Sequence, residues 1–574
     1  MVVWVPAEPQ TSRVSSLLSY AILLGGVLTM GIALYMVVTN YSSLPYRDGW
    51  IQVQVAARGD SPFAPAWLWE LRNEHRMVLP KMFLGVDLRW FQARQVFLLT
   101  SIFVIQLLQW GLLCWSMRVL GGWRGALWRT GAGLAAFCLF CPSQWENLIW
   151  GFQVCFVLPQ LLATLSFVAL LLYWMRSQQH PDERPPARFL VLSVLAALGA
   201  SYSLASGSLL WPLLVAAALY LRLRAATWSF AVTGVVSTAL YFYHYARPAV
   251  HAAPAAALGA PISLLKFWAF YIGGPWEHHG MRDPEILALA GIGVLLALLA
   301  PALEEVRRFR PFAMLLALIM AFCLATALLT AVGRADLTLG QALSSRYQTV
   351  ALLFWCCVGL LFLGATFFAR YGVVLTQVCL LAIFARGAVL VHYPLDEARG
   401  RSFEQRAVTA AVVTDVYDPD TLKQTYPQTD MPLSTLPYLK MNRLSVFSGG
   451  DGWELGKPLE SVFPQASPDD CTGVLEPAVK LEVPYGRGLR ISGWAWDRKH
   501  HQPPVAMVAT TDGVITGLGA VGQKRPELRA AQRELSSSHV GFVAFSPEPQ
   551  PNSEVKLYAV LSGSPPTACY LPGK

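Results

Sequence analysis

Charge is what this sequence has least of. Only 14% of its 574 residues are Asp, Glu, Lys or Arg, against 55% hydrophobic, and the mean hydropathy is +0.44. Soluble domains carry roughly a quarter charged residues, so an ordinary water-soluble globule is excluded. Paired metal-ligand spacing is missing as well. Ten cysteines are present, yet no CxxC is accompanied by a second such pair, which argues against a structural zinc module. The net charge of +9 is no footprint for nucleic acid either, because the basic residues lie in short stretches between apolar runs.

What is abundant is apolar sequence in lengths of about 20 residues, the span of a bilayer core. The first run, Ser16 to Thr39, is too long and too poorly flanked for a cleaved signal peptide. Others follow at about 96–117, 125–141, 151–175, 189–206, 208–221, 228–245, 285–301, 311–332, 349–369 and 372–392. The expected fold is therefore mainly α: a polytopic membrane protein of about eleven transmembrane helices over 1–392. One set of connections carries Arg118, Arg124 and Arg129, then Arg176, Arg184 and Arg188, Arg222 and Arg224, Arg307, Arg308 and Arg310, and Arg370, while 142–150 carries none. The positive-inside rule then predicts a cytoplasmic N-terminus. It predicts that the loop after the first span, the loops near 142–150, 246–284 and 333–348, and everything beyond 392 lie outside.

Beyond 392 the pattern changes. A helical stretch at 401–416 and a segment broken by Pro419, Pro427, Pro432 and Pro437 predict an extracytoplasmic linker over 393–469. From 470 to 574, short alternating runs such as Leu489–Trp496, Val505–Thr510, Gly541–Phe545 and Val555–Val560, separated by turn signals, predict a small β-sandwich. Cys471 and Cys569 bracket that domain. An exported domain with a small core suits a disulfide between them. The other eight cysteines fall in or beside apolar runs and read as small buried residues.

Chemistry gathers in the outer connections. Tyr46-Arg-Asp-Gly-Trp50 and Asn73-Glu-His-Arg76 follow the first span, and Glu146 lies in Ser143-Gln-Trp-Glu-Asn-Leu-Ile-Trp-Gly-Phe-Gln153. Carboxylates at the outer ends of neighbouring spans, Asp48, Glu74 and Glu146, are candidates to take a proton from a hydroxyl and to orient it. The amides and rings beside Glu146, namely Trp145, Asn147 and Gln153, with Tyr347, match the apolar faces and hydroxyl edges of a sugar. Arg334 and Arg346 stand on a face that should be poor in cations, and bidentate phosphate is the partner that arginine geometry suits best. A salt bridge from these arginines to Asp336 or Asp48 is the simpler alternative. Lys266, Arg282, His278 and His279 are weaker candidates in a long loop. In Gly493-Trp-Ala-Trp-Asp497 a period of two puts Trp494 and Trp496 on one face.

Acids in the first and second outer loops, many spans and a C-terminal exported domain resemble the GT-C glycosyltransferases of membranes. The resemblance covers residues 16–392 in architecture, while the paired acids of that family are absent. It implies transfer of a sugar from a polyprenyl-phosphate donor to an extracytoplasmic glycan, glycolipid or protein acceptor. Asp48 or Glu74 would act as base, Glu146 would assist, and Arg334, Arg346, His75 and Arg76 would hold the donor phosphate. No cofactor is required, with room left for a divalent cation bridging Asp48 and the phosphate. The implied setting is a bacterial inner membrane with a periplasmic C-terminal domain, and no nucleic acid. The segment at 493–542 is similar to small β-domains attached to bacterial surface-glycan enzymes. A flippase would place ionisable residues in mid-span, which the apolar runs lack. A ligase or polymerase acting on a lipid-diphosphate glycan would need much the same outer site.

Overall fold

The computed structural model describes residues 12–180, 182–246, 259–277, 282–299, 310–334, 338–366, 372–449, 454–483 and 486–572. His278, His279, Asp336, Arg307, Arg308 and Arg370 lie outside them. The chain divides into two compact units. The first comprises residues 1–39, 63–83 and 98–395, and the second comprises 40–62, 84–97 and 396–574.

The first unit is helical. Each of the eleven expected apolar runs falls on a helix. Seven helices among the described residues are long and apolar enough to cross a membrane: Arg13–Thr39, Val96–Val119, Gly151–Gln179, Arg224–Phe242, Arg310–Arg334, Ser345–Thr366, and the helical stretch from Gly372. Of the others, Gly125–Leu139 has 15 residues, Ala187–Ser201 has 15 and Leu210–Tyr220 has 11, and the described part of the helix from Asp283 has 17. At 1.5 Å per residue the shortest of these falls well below the bilayer core of about 30 Å. Length therefore gives seven candidate spans among the described residues.

Small residues set the packing. Helices Arg13–Thr39 and Gly125–Leu139 cross with backbones in contact: a Cβ on Gly26 would lie 2.4 Å from the Gly133 carbonyl oxygen, and one on Gly133 would lie 2.5 Å from that of Ile22. Only glycine permits so close an approach, the device by which apolar helices associate where water supplies no driving force. Buried polar groups pair across helices: the Ser166 hydroxyl donates to the Ser193 carbonyl at 2.9 Å, and the Ser193 hydroxyl donates to the Ser166 carbonyl at 2.9 Å. The Gln377 amide donates to the Thr130 hydroxyl at 2.9 Å.

The stretch 393–469, which belongs to the second unit from Asp396 on, is more regular than its prolines suggest. Helices cover His392–Val413, Pro419–Leu422 and Asp430–Met441. Pro419 sits at a first-turn position, where its missing N–H costs nothing. These helices share a core with the loop after the first span, in which Trp50, Val53 and Leu44 pack with Val408, Val412, Leu422 and Leu436. Thr425 clamps the arrangement, its hydroxyl accepting from the Trp50 indole at 3.0 Å and donating to the Pro45 carbonyl at 2.8 Å.

The β-region differs from the expected sandwich. Its strands are β1 (Cys471–Leu475), β2 (Val479–Val483), β3 (Gly486–Asp497), β4 (Ala506–Thr511), β5 (Val514–Gln523), β6 (Gly541–Pro547), β7 (Val555–Leu561) and β8 (Thr567–Leu571). They form one antiparallel sheet in the order β8-β7-β4-β5-β6-β3-β1, with β2 also paired to β3. The edge strands β8 and β1 come together, and the Cys471–Cys569 disulfide joins them with Cα atoms 6.2 Å apart. The sheet is thus a nearly closed barrel. Alternation in sequence says which residues face inward, but both a sandwich and a barrel have one filled interior. The interior holds Leu489, Ile491, Ala495, Met507, Ala509, Phe542, Ala544, Leu557 and Ala559. The opposite faces of β4 and β7, with Val508 and Val560, pack under Ala410, Ala411, Leu459 and Phe463. Trp494 and Trp496 share the other face of β3 with Leu535 and Val540.

Candidate functional site

The site builds upward from a two-rung hairpin, Leu71–Arg72 against His75–Arg76. Asn73 takes the left-handed conformation at its tip (φ 50°), which asparagine tolerates because its short amide bonds locally. The hairpin is fixed by two buried cations. Arg76, only 3% exposed, donates to the carbonyls of Trp69, Tyr241 and Tyr243, and its guanidinium lies 4.8 Å from the Trp69 ring centre. Lys81 donates to the Trp67 and Glu70 carbonyls at 2.6 and 2.7 Å. Burial pulls its amine down to about 8.

Held this way, Glu74 at the turn meets Arg334, the last residue of helix Arg310–Arg334. Their carboxylate and guanidinium are 3.2 Å apart, and the His75 imidazole is 3.6 Å from the same oxygen. Of the four residues expected to hold phosphate, Arg334 and His75 therefore share a cluster with Glu74. Arg76 does not present its guanidinium there, because three carbonyls occupy it.

A second cluster forms where Pro142–Gln153 meets Ser344–Thr349. One carboxylate oxygen of Glu146 accepts from the Ser345 hydroxyl at 2.7 Å, the Ser344 hydroxyl at 3.1 Å and the Arg346 backbone N–H at 3.2 Å. From the other side, the Asn147 amide donates to the Arg346 carbonyl at 2.8 Å and the Thr349 hydroxyl at 2.7 Å. Thr349 donates in turn to Gln144 at 2.7 Å, and Gln144 accepts from Gln106 at 3.1 Å. Both backbone polar groups of Arg346 are thus bound by side chains of one five-residue helix, Trp145–Ile149. The Arg346 guanidinium sits 5.3 Å from the Tyr347 ring centre, and its Nε is buried without a hydrogen-bond partner. Tyr347 is itself buried, stacked on Tyr271 with ring centres 5.0 Å apart.

Trp145 is half-buried, while Asn147 and Gln153 are buried, each with an amide oxygen that has no hydrogen-bond partner. Arg334 and Arg346 end and precede helices that pack on each other and are joined by residues 335–347. Both arginines therefore lie at the same end of that helix pair. Asp48 belongs to the second unit, in the turn Arg47–Gly49, where the Arg47 N–H donates to the Thr425 carbonyl at 2.8 Å. Lys266 is exposed, and Arg282 bonds through its N–H to Glu285 at 3.3 Å.

Sequence reading missed Ser344, Ser345 and Thr349. The dipeptide Ser344-Ser345 directly before Arg346 was the available signal. The need for two hydroxyls became visible only with Glu146 opposite them. Comparison with models of protein families, with curated proteins and with solved structures finds no match for this chain.

Proposed function

We propose that this chain is a membrane glycosyltransferase that moves a sugar from a polyprenyl-phosphate donor to an extracytoplasmic acceptor. The observation that carries the reading is Arg346: a cation with both backbone groups tied down, a buried Nε lacking a partner, and a position at the start of a long apolar helix. That combination suits an anion at a lipid boundary, where guanidinium and helix N-terminus act together. Arg334 supplies the second cation. Glu74 shares the first unit with both arginines, whereas Asp48 belongs to the second, and the proposal takes Glu74 as the base in preference to Asp48. Arg334 pairs with Glu74 at 3.2 Å in the resting protein. An arriving phosphate competes for Arg334 and releases the carboxylate to take the proton of the acceptor hydroxyl.

The hydroxyl oxygen then attacks the anomeric carbon, the bond to the phosphate oxygen breaks, and the arginines stabilise the departing phosphate. One displacement inverts the anomeric configuration. Glu146, with three donors on one oxygen, serves to position Arg346. Trp145, Asn147 and Gln153 are assigned to the sugar, and no step passes through a metal. Seven apolar spans and a disulfide-closed barrel support a membrane enzyme whose C-terminal domain lies in an oxidising compartment, such as the periplasm beside a bacterial inner membrane. An eleven-span topology with a cytoplasmic N-terminus belongs to the same proposal.

The test is the purified protein with a panel of polyprenyl-phosphate sugars and mass spectrometry of the products. Transfer from one donor is expected. Glu74→Gln should lower turnover by about 10²–10⁴, and Arg346→Ala should weaken donor binding. Turnover in Glu74→Gln equal to the parent, with Asp48→Asn inactive, would move the base to Asp48. No transfer from any donor would end the proposal.

A further inference from the structure

Residues 88–96 and 438–447 carry, beside side chains buried in the core, an outer face that the proposed reaction does not use. Trp90 is 63% exposed and Met441 79%, with Phe91 and Val96 also exposed. Around them stand exposed Arg89, Arg94 and Arg443. The two stretches contain no Asp or Glu. Lys440, the remaining cation, is taken by Asp415 at 2.7 Å.

This surface is held rigidly. Gln92, Ala93 and Gln95 have φ values of 58°, 55° and 63°, and Arg443 and Ser445 have 51° and 54°. Five residues other than glycine in the left-handed region are costly, and specific bonds hold them there. The Ser445 N–H donates to the Gln92 carbonyl at 2.7 Å, joining the two stretches. The Tyr41 hydroxyl donates to the Arg94 carbonyl at 2.7 Å, and the Gln95 N–H donates to the Asp87 carboxylate at 3.1 Å. Ala93 is buried among Leu88, Ala56, Tyr438 and Leu444. Strained backbone thus displays a large aromatic and a methionine to the outside.

Chain continuity says what covers them. Val96 opens a helix of span length, Val96–Val119, so residues 89–95 lie at the boundary between water and hydrocarbon, where tryptophan is favoured. The bond from Ser445 to Gln92 brings Arg443 and Met441 to the same level. We propose that residues 89–96 and 440–443 form one membrane-docking surface for anionic lipid headgroups, in which Trp90, Phe91 and Met441 enter the interface and Arg89, Arg94 and Arg443 meet the headgroups. The surface does not depend on the glycosyltransferase reading. Basic residues near an anionic surface and apolar side chains just below it are the two contributions such binding requires.

The test uses the full chain in vesicles of phosphatidylcholine alone or mixed with phosphatidylglycerol. A spin label is placed at Met441→Cys in a Cys379→Ser background, with Val479→Cys on β2 as the reference. Expected at 441 is collision with oxygen in preference to a water-soluble nickel chelate, more so with phosphatidylglycerol, while 479 stays chelate-accessible in both. Arg94→Glu with Arg443→Glu should reduce the preference for the anionic vesicles by roughly five-fold per charge. Arg94→Lys with Arg443→Lys should retain it, which separates lost charge from lost folding. Labels at 441 and 479 equally open to the chelate would overturn the proposal. Insertion at 441 that ignores phosphatidylglycerol and charge reversal would overturn the headgroup assignment.

Discussion

At the residue scale, the acids differ in what surrounds them more than in their chemistry. Glu146 spends one oxygen on three donors, and Glu74 sits against Arg334 and His75. Asp87, which no motif marks, is fully buried, and burial pushes its carboxyl up to about 7, although backbone N–H groups of Gln95 and Phe97 pull the other way. Because the folded value lies above the unfolded value of about 4, the folded state favours the protonated form. The stabilisation is complete below pH of about 4 and is lost as pH rises through about 7. Asp87→Asn removes this dependence. Thermal unfolding of the parent should fall relative to the Asn variant between pH 4 and 7.5, and parallel curves would show that Asp87 carries no such burden.

At the element scale, two kinds of feature hold the helical unit together: glycine crossings and side-chain bonds to backbone ends. Gly26 and Gly133 let two helices touch at the backbone, so any side chain at 133 must push them apart. Gly133→Val is expected to destabilise by about 1–3 kcal/mol, seen as a lower unfolding temperature in detergent. A neutral result would mean that the helices can separate without loss. Helix positions were legible because apolar runs of span length have few other destinations. The hairpin at 71–76 and the five-residue helix Trp145–Ile149 were not, since elements so short have no periodicity to read. Their geometry is fixed by Arg76 and Glu146 reaching partners far along the chain, with Lys81 bonding the carbonyls of Trp67 and Glu70 nearby.

At the scale of the whole molecule, residues 40–62 and 84–97 of the loop after the first span fold in one unit with residues 396–574, although most of the helical unit lies between them in sequence. Trp50 joins Val408 and Leu436 in a shared core, a pairing that no local pattern announces. The barrel within this unit relies on one covalent closure. Replacing Cys471 and Cys569 together by Ser should cost about 2–5 kcal/mol. Hydrogen exchange should then rise in strands β1 and β8 while the helix Val154–Gln179 keeps its protection. Loss of protection in both would mean that the two units unfold together.

Composition and the spacing of apolar runs determined by themselves that this is a helical membrane protein with a β-rich C-terminal region and a disulfide between Cys471 and Cys569, because burial of apolar length and closure of a small core follow directly from residue type. Tertiary structure alone decided that the strands close into a barrel, that Arg76 is spent on carbonyls, and that Glu146 grips the segment carrying Arg346. Those outcomes depend on which hydrogen-bonding groups meet after distant segments pack, and a buried polar group takes whichever partner the packing brings within about 3 Å.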